Sequence, residues 1–251
     1  MTMFADDPTA AALLAAVPCY PVPSTGRSPA LDALRDSRAG HGLAVGRDGV
    51  MLILRRPWLA LDTPLTPPFT AHLPYGSIGE PRADLRCGLI PGEHLAAVLD
   101  HFRAALPNEA AAFILWSEAT GTFVVDFPQI DAASPTRLVY RPPVCEPGWH
   151  VICDMHSHGR GPAYFSATDD ADDAHATKIS LVIGGLGQPA APALAARLCA
   201  GGMFLPVPRS PFSGDPPCNL ASPSATFFPP SSTIARSGSC SWDAEETALR
   251  C

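Results

Sequence analysis

Between residues 88 and 207 one helical pattern is followed by a series of short apolar runs, and no other feature restricts the fold of this chain as much. In "IPGEHLAAVLDHFRAAL", Leu95, Val98, Leu99, Phe102 and Leu106 recur at helical spacing. Pro91 and Glu93 suit the start of that helix. The next run, "AAAFILW", reads as a buried strand. "GTFVVDF", "TRLVYRP" and "WHVICDMHSH" are three more strand candidates with turn residues between them. After a short acidic segment come "TKISLVIGG" and "ALAARLCAGGMFLPV". Helix, strands, a short helix and further strands predict a mixed α/β domain over 88–207.

The flanks differ in character. Residues 1–87 read as a small β-rich section of unknown role. Its first 40 residues are rich in Ala and Pro and predict a loosely structured start. In "GLAVGRDGVMLILRRPW" two apolar runs flank Asp48-Gly49, a hairpin turn signal, and the proline cluster "DTPLTPPF" follows. From Pro208 to Cys251 neither helical nor strand period is present. Proline and serine dominate there, which predicts a disordered tail over 208–251.

Composition narrows the function classes. A chain of 251 residues can bury a real core. Its net charge of -7 and its lack of a basic run argue against a nucleic-acid partner. Arginine carries almost all the positive charge, because Lys178 is the sole lysine; codon usage in a GC-rich genome is the simplest account. The eight cysteines are scattered without a CxxC pair, so buried thiols in a reducing compartment are expected rather than disulfides. The opening residues lack the basic region of a signal peptide, and no uninterrupted apolar stretch is long enough to span a bilayer. A soluble, cytoplasmic protein without a membrane partner is expected.

Chemistry concentrates in "HSHGRGPAYFSATD", residues 156–169. Residues two apart on a strand face the same way, so His156 and His158 project side by side. Ser166-Ala-Thr-Asp169 reads as a helix capping box, which would fix Asp169 in the first turn and point it back toward the strand end. Two imidazoles and one carboxylate make an open zinc site with a position left for water. Separately, an HxH on a strand is commonly an exposed polar face, and an SxxD is commonly a cap and nothing more.

Taken together at this spacing, His156, Ser157, His158, Ser166 and Asp169 fill the H-S-H, seven residues, S-x-x-D pattern. The chain thereby resembles the JAMM (MPN-plus) zinc metallopeptidases in their prokaryotic, JAB-like form. The wording "HSHGRGPAYFSATDDADD" is closest to the JAMM-like proteins of the PRTRC cassette of bacterial plasmids and integrated elements. The resemblance covers about 88–207 and implies a cytidine-deaminase-like mixed sheet flanked by helices. Gly159 departs from the eukaryotic deubiquitinating members, which usually carry proline there, so the likeness does not extend to detailed ubiquitin-chain specificity.

The family pattern also needs an upstream glutamate at the start of the strand after the first helix. Glu109 stands there. Glu118 lies in a turn, Glu93 at a helix start, and Asp126 too far along the chain. By resemblance, His156, His158 and Asp169 hold Zn2+, Glu109 is the proton shuttle rather than a ligand, and Ser166 donates to the oxyanion. The implied substrate is a ubiquitin-like protein, cut after its C-terminal tail, with a ThiF-type activating enzyme of the same cassette as a further partner. Alternatives remain: a weakly active or non-catalytic MPN-type scaffold, a small-molecule amidase, or a sulfur-carrier processing peptidase. Ser166 lacks a G-x-S-x-G elbow and is not read as a nucleophile. Zincins and zinc deaminases are set aside for want of HExxH and of HxE with PCxxC.

Some neighbours stay open. Asp154 shares a strand face with His156 and could orient an imidazole or face solvent. Asp170, Asp172 and Asp173 read as a solvated helix start. Cys153 belongs to the core, His150 and His175 are ordinary histidines, and Tyr164 and Phe165 either line the site or anchor the loop.

Overall fold

A computed structural model describes residues 16–71, 73–207, 209–214 and 219–220. The chain opens with β1 (Cys19–Pro21), α1 (Pro29–Asp36), β2 (Gly40–Val45), β3 (Val50–Arg56), β4 (Leu59–Pro64) and β5 (Arg82–Leu85). These strands form one five-stranded sheet in chain order. The hairpin expected around Asp48-Gly49 is present as the antiparallel β2–β3 pair. Of the loosely structured start, residues 1–15 lie outside the described residues, whereas residues 19–36 are ordered into a strand paired in parallel with β2 and a helix seated by Leu31 and Leu34. Its apolar residues are few, and the proline at the helix start marked the element only in hindsight.

Strand β3 is buried on both faces, and its alternation shows how the sheet is used. Met51 and Ile53 join Leu31 and Leu34 of α1 in a small cluster. Leu52 and Leu54 point the other way, into the main core, together with Trp58, Leu59 and Leu61. Arg55 is fully buried beside Asp62 at 2.6 Å and donates further hydrogen bonds to the carbonyls of Arg35, Leu54 and Leu61.

The second sheet follows α2 (Gly92–Ala105). The helix buries Leu95, Val98, Leu99 and Phe102, which are four of the residues picked out by spacing. The strands are β6 (Ala111–Ser117), β7 (Phe123–Asp126), β10 (Trp149–Ser157), β11 (Lys178–Gly184), β12 (Ala193–Ala200), β13 (Met203–Pro206) and β14 (Asn219–Leu220). Their order is β13-β12-β11-β10-β6-β7, with β14 beside β12. Between β7 and β10, β8 (Ile130–Ser134) and β9 (Arg137–Tyr140) form a separate hairpin. The fold is mixed α/β, with a mixed sheet, few flanking helices and a β-rich N-terminal part.

Only β10 and β11 among the long neighbours run parallel; β6, β7, β12 and β13 pair antiparallel. A parallel pair requires a crossover. Here residues 158–177 make it, and they contain α3 (Ala167–Asp173). The crossover begins at the carboxyl end of β10, where open α/β sheets commonly place a ligand crevice. The main core lies beneath, built from α2, both sheets and the region near residue 212.

Most of the tail expected to be disordered lies outside the described residues. Two pieces of 208–251 are described, and both are attached. Ile90 donates to the Pro211 carbonyl and accepts from the Ser213 amide, and Phe212 is buried in the main core. Proline and serine content gave no hint of that anchor. No helix of the described residues is long and apolar enough to cross a membrane. Truncating a buried Phe typically costs about 3–5 kcal/mol. Phe212→Ala is therefore expected to lower the unfolding free energy by an amount in that range, seen as a lower urea midpoint with unchanged slope; an unchanged midpoint would mean that this segment does not pack.

Candidate metal centre

Strand alternation makes the first half of the site. His156 and His158 leave the end of β10 on one face, with their Nε2 atoms 3.3 Å apart. Ser157 between them is fully buried on the opposite face, where its Oγ accepts from the Ala110 amide at 3.0 Å. The Ser157 amide in turn donates to the Ala110 carbonyl at 2.9 Å. This reciprocal pair fixes the chain next to Glu109 against the histidine strand. Reading the sequence missed the role of Ser157; its position between two ligand candidates on an alternating strand was the available signal.

The capping box makes the second half. Ser166 Oγ accepts from the Asp169 amide at 3.3 Å, and Asp169 Oδ2 accepts from the Ser166 amide at 2.6 Å. One carboxylate oxygen is thus spent on the cap. The other, Oδ1, lies 3.4 Å from His156 Nε2. Ser166 keeps its own O–H free to donate, because a hydroxyl that accepts one bond still has its proton. The donor atoms of His156, His158 and Asp169 all lie within 4.8 Å of one another.

Protonation fits this assembly. Burial pushes His156 below the ordinary histidine value, with the Asp169 carboxylate opposing. The His156–Asp169 approach is therefore not a standing ion pair at neutral pH. His158 Nδ1 sits 3.1 Å from the Pro162 carbonyl, which can only accept, so Nδ1 is the donor there and Nε2 is the nitrogen turned toward His156. Such a carbonyl partner on the far nitrogen is the usual companion of a metal-ligating imidazole. Two imidazole nitrogens and a carboxylate oxygen converge here. Ligands about 2.0–2.1 Å from one tetrahedral zinc stand about 3.3 Å apart, which agrees with the 3.3 and 3.4 Å separations here. The residues fit zinc.

The loop after His158 is held by backbone. Gly159 has φ +54°, a conformation closed to proline, so the chain leaves this strand along a path that a prolyl residue could not follow. Gly184 must be glycine for a different reason: a Cβ there would meet the Gly161 carbonyl at 2.4 Å and the Ala163 amide at 2.5 Å. Tyr164 stacks edge-on against His158 with ring centroids 4.7 Å apart, whereas Phe165 turns away to Arg197.

Glu109 precedes β6 and stands outside the three-residue cluster. It is half-buried and close enough for the charges of His158 and Asp169 to act on it. Burial raises its carboxyl above the ordinary value, His158 opposing and Asp169 adding to the rise. Its rivals are engaged elsewhere. Glu118 is tied to Arg38 and lies 3.5 Å from His150, and Glu93 sits in the first turn of α2.

Two neighbouring expectations change. Asp154 does not bond an imidazole; its Oδ2 takes the Lys178 ammonium at 2.5 Å. Asp173 is not solvated; it is buried between Lys178 and Arg197, and Asp170 also pairs with Arg197. Acidic runs on short helices ordinarily face water; Arg197 reaches Asp173 from a strand 24 residues on, and Lys178 follows at the start of β11. Cys153 is in the core as expected, and His150 packs on Trp116.

With this geometry in view, sequence comparison gives the class. Residues 91–198 match the family model for prokaryotic homologs of the JAB domain. Residues 7–86 match a domain of unknown function, DUF2016. No curated protein matches the chain. The chain thus carries a JAB/MPN-type domain of the prokaryotic family, preceded by a DUF2016 domain, and the site just described lies inside the JAB-type part.

The raised Glu109 carboxyl has a consequence for stability. In the unfolded chain it ionises at its ordinary value, while in the folded metal-free protein ionisation is disfavoured. Its contribution is therefore fully favourable only below the ordinary glutamate pKa and is lost as pH rises through the raised value. Glu109→Gln is expected to raise the Tm of the metal-free protein at pH 7 and to leave it unchanged near pH 3.5, which calorimetry at the two pH values would check.

Proposed function

We propose that this protein is a zinc-dependent metallopeptidase or isopeptidase that hydrolyses the bond after the C-terminal tail of a ubiquitin-like protein. The observation that carries the reading is the convergence of His156 Nε2, His158 Nε2 and Asp169 Oδ1, with Glu109 alongside. His156, His158 and Asp169 would hold the ion. Zinc, when bound, lets a water molecule ionise near neutral pH.

Glu109 takes the proton of the attacking water and returns it to the leaving amine; its raised pKa brings it toward the range where a carboxylate both accepts and releases a proton. Ser166 Oγ–H donates to the oxyanion that develops on the scissile carbonyl. The cap holds Ser166 and Asp169 in one turn, so the donor and the ligand move as a unit.

On the motif wording, the protein works in a bacterial mobile-element cassette of the PRTRC type, in the cytoplasm beside a ThiF-type activating enzyme; the family match supports only its prokaryotic JAB-type part. The test uses the purified chain with zinc and two forms of a candidate ubiquitin-like protein: one with a linear C-terminal extension, one joined to a lysine. Wild type is expected to cleave. Glu109→Gln is expected to retain zinc and lose turnover, and Ser166→Ala to lose about 100- to 1000-fold in kcat. Trimming of the linear form alone would restrict the activity to processing. Zinc-loaded protein that leaves both substrates intact, or an active Glu109→Gln, would contradict the reading.

A further inference from the structure

We propose that Lys178, the chain's one lysine, is the positioning residue that holds Asp169 against the two histidines. The inference rests on the zinc reading above. The ligands come from two elements, β10 and α3, and α3 is only seven residues long. A helix of two turns does not hold itself in place without tertiary anchoring. α3 has no apolar anchor: its one buried residue is Asp173. The helix that carries the third ligand is therefore docked through a buried carboxylate.

Lys178 Nζ meets Asp173 Oδ1 at 2.8 Å and Asp154 Oδ2 at 2.5 Å. Asp154 lies on β10, two residues before His156, and Asp173 lies one helical turn after Asp169. The ammonium thus joins the histidine strand to the carboxylate helix from beneath. Its side chain is 16% exposed. Arg197 completes the dock from β12: it binds Asp173 Oδ2 at 2.7 Å, pairs with Asp170, and has its guanidinium between the rings of Phe165 and Phe204 at 3.9 Å each. Arg197 ties α3 to β12; Lys178 is the group that ties it to β10. A lysine beneath the site also supplies what two buried carboxylates need, since an unpaired charge there is strongly disfavoured.

The experiment measures zinc affinity by competition with a chromophoric chelator, and amide exchange in the metal-free protein. It compares wild type, Lys178→Met, Lys178→Arg, Asp173→Asn, and Leu99→Ala as a control for general loss of stability. Lys178→Met is expected to bind zinc about 10- to 100-fold more weakly, the loss typical of a group that orients a ligand from behind. Lys178→Arg should recover part of the affinity, and Asp173→Asn should fall between. The amides of α3 should exchange faster in Lys178→Met while those of β10 stay protected. Leu99→Ala should keep wild-type affinity. If Lys178→Met does not fold, the nearly isosteric Asp173→Asn carries the comparison. Folded variants with wild-type affinity and exchange would overturn the role of Lys178 and leave the zinc reading standing. Wild type that binds no zinc would overturn the zinc reading and this inference with it.

Discussion

Two hydrogen bonds between Ser166 and Asp169 decide what the rest of this site can be. They occupy one carboxylate oxygen and one hydroxyl lone pair, and so leave Oδ1 and the Ser166 proton available. A capping box is ordinarily worth about a kilocalorie of helix stability. Here it also aims a carboxylate at two imidazoles. The parallel crossover from β10 to β11 makes this possible, because its helix starts beside the end of β10 before the chain re-enters the sheet next to Cys153. The backbone of 158–163 holds that return close, and the bare backbone at Gly184 lets the loop lie on the sheet.

Polar groups near the site are buried at a cost that packing elsewhere offsets. Glu109 is held above its ordinary pKa and His156 below its own, both by loss of water. Burial also works against the charge on Lys178, yet Asp154 and Asp173 outweigh it and keep the ammonium above its ordinary range. Such groups bring less stability than apolar residues of the same size would. The core beneath compensates: α2, β3, β6 and β10 bury Leu, Ile and Phe side chains in one continuous cluster that includes residues of both halves of the chain.

Much of this was legible in the sequence, and the reason is locality. Helix α2 and the strands of the second sheet up to β13 followed from apolar spacing, and the cap followed from four adjacent residues; β14 lies in the stretch read as a disordered tail. The candidate metal cluster was readable because its three members lie within fourteen residues, on a strand and on the helix that follows it. What stayed hidden depends on partners far apart in the chain. Asp173 looked like a solvated acid because Arg197 reaches it from β12, 24 residues on, and because the nearby Lys178 is turned toward it by the start of β11. Asp154 is bound by an ammonium rather than by an imidazole for the same reason. Phe212 sits in a proline- and serine-rich stretch whose composition conceals one buried anchor, and the turn from Ser28 into α1 had too few apolar residues to stand out.

The central claim is that three side chains converge to hold a metal ion. Metal content per chain, measured by elemental analysis on protein purified without chelator or metal-affinity resin, tests it most directly. About one zinc per chain in wild type, lost in Asp169→Ala, is the expected result. Wild-type protein that takes up no zinc even when zinc is supplied would contradict the account.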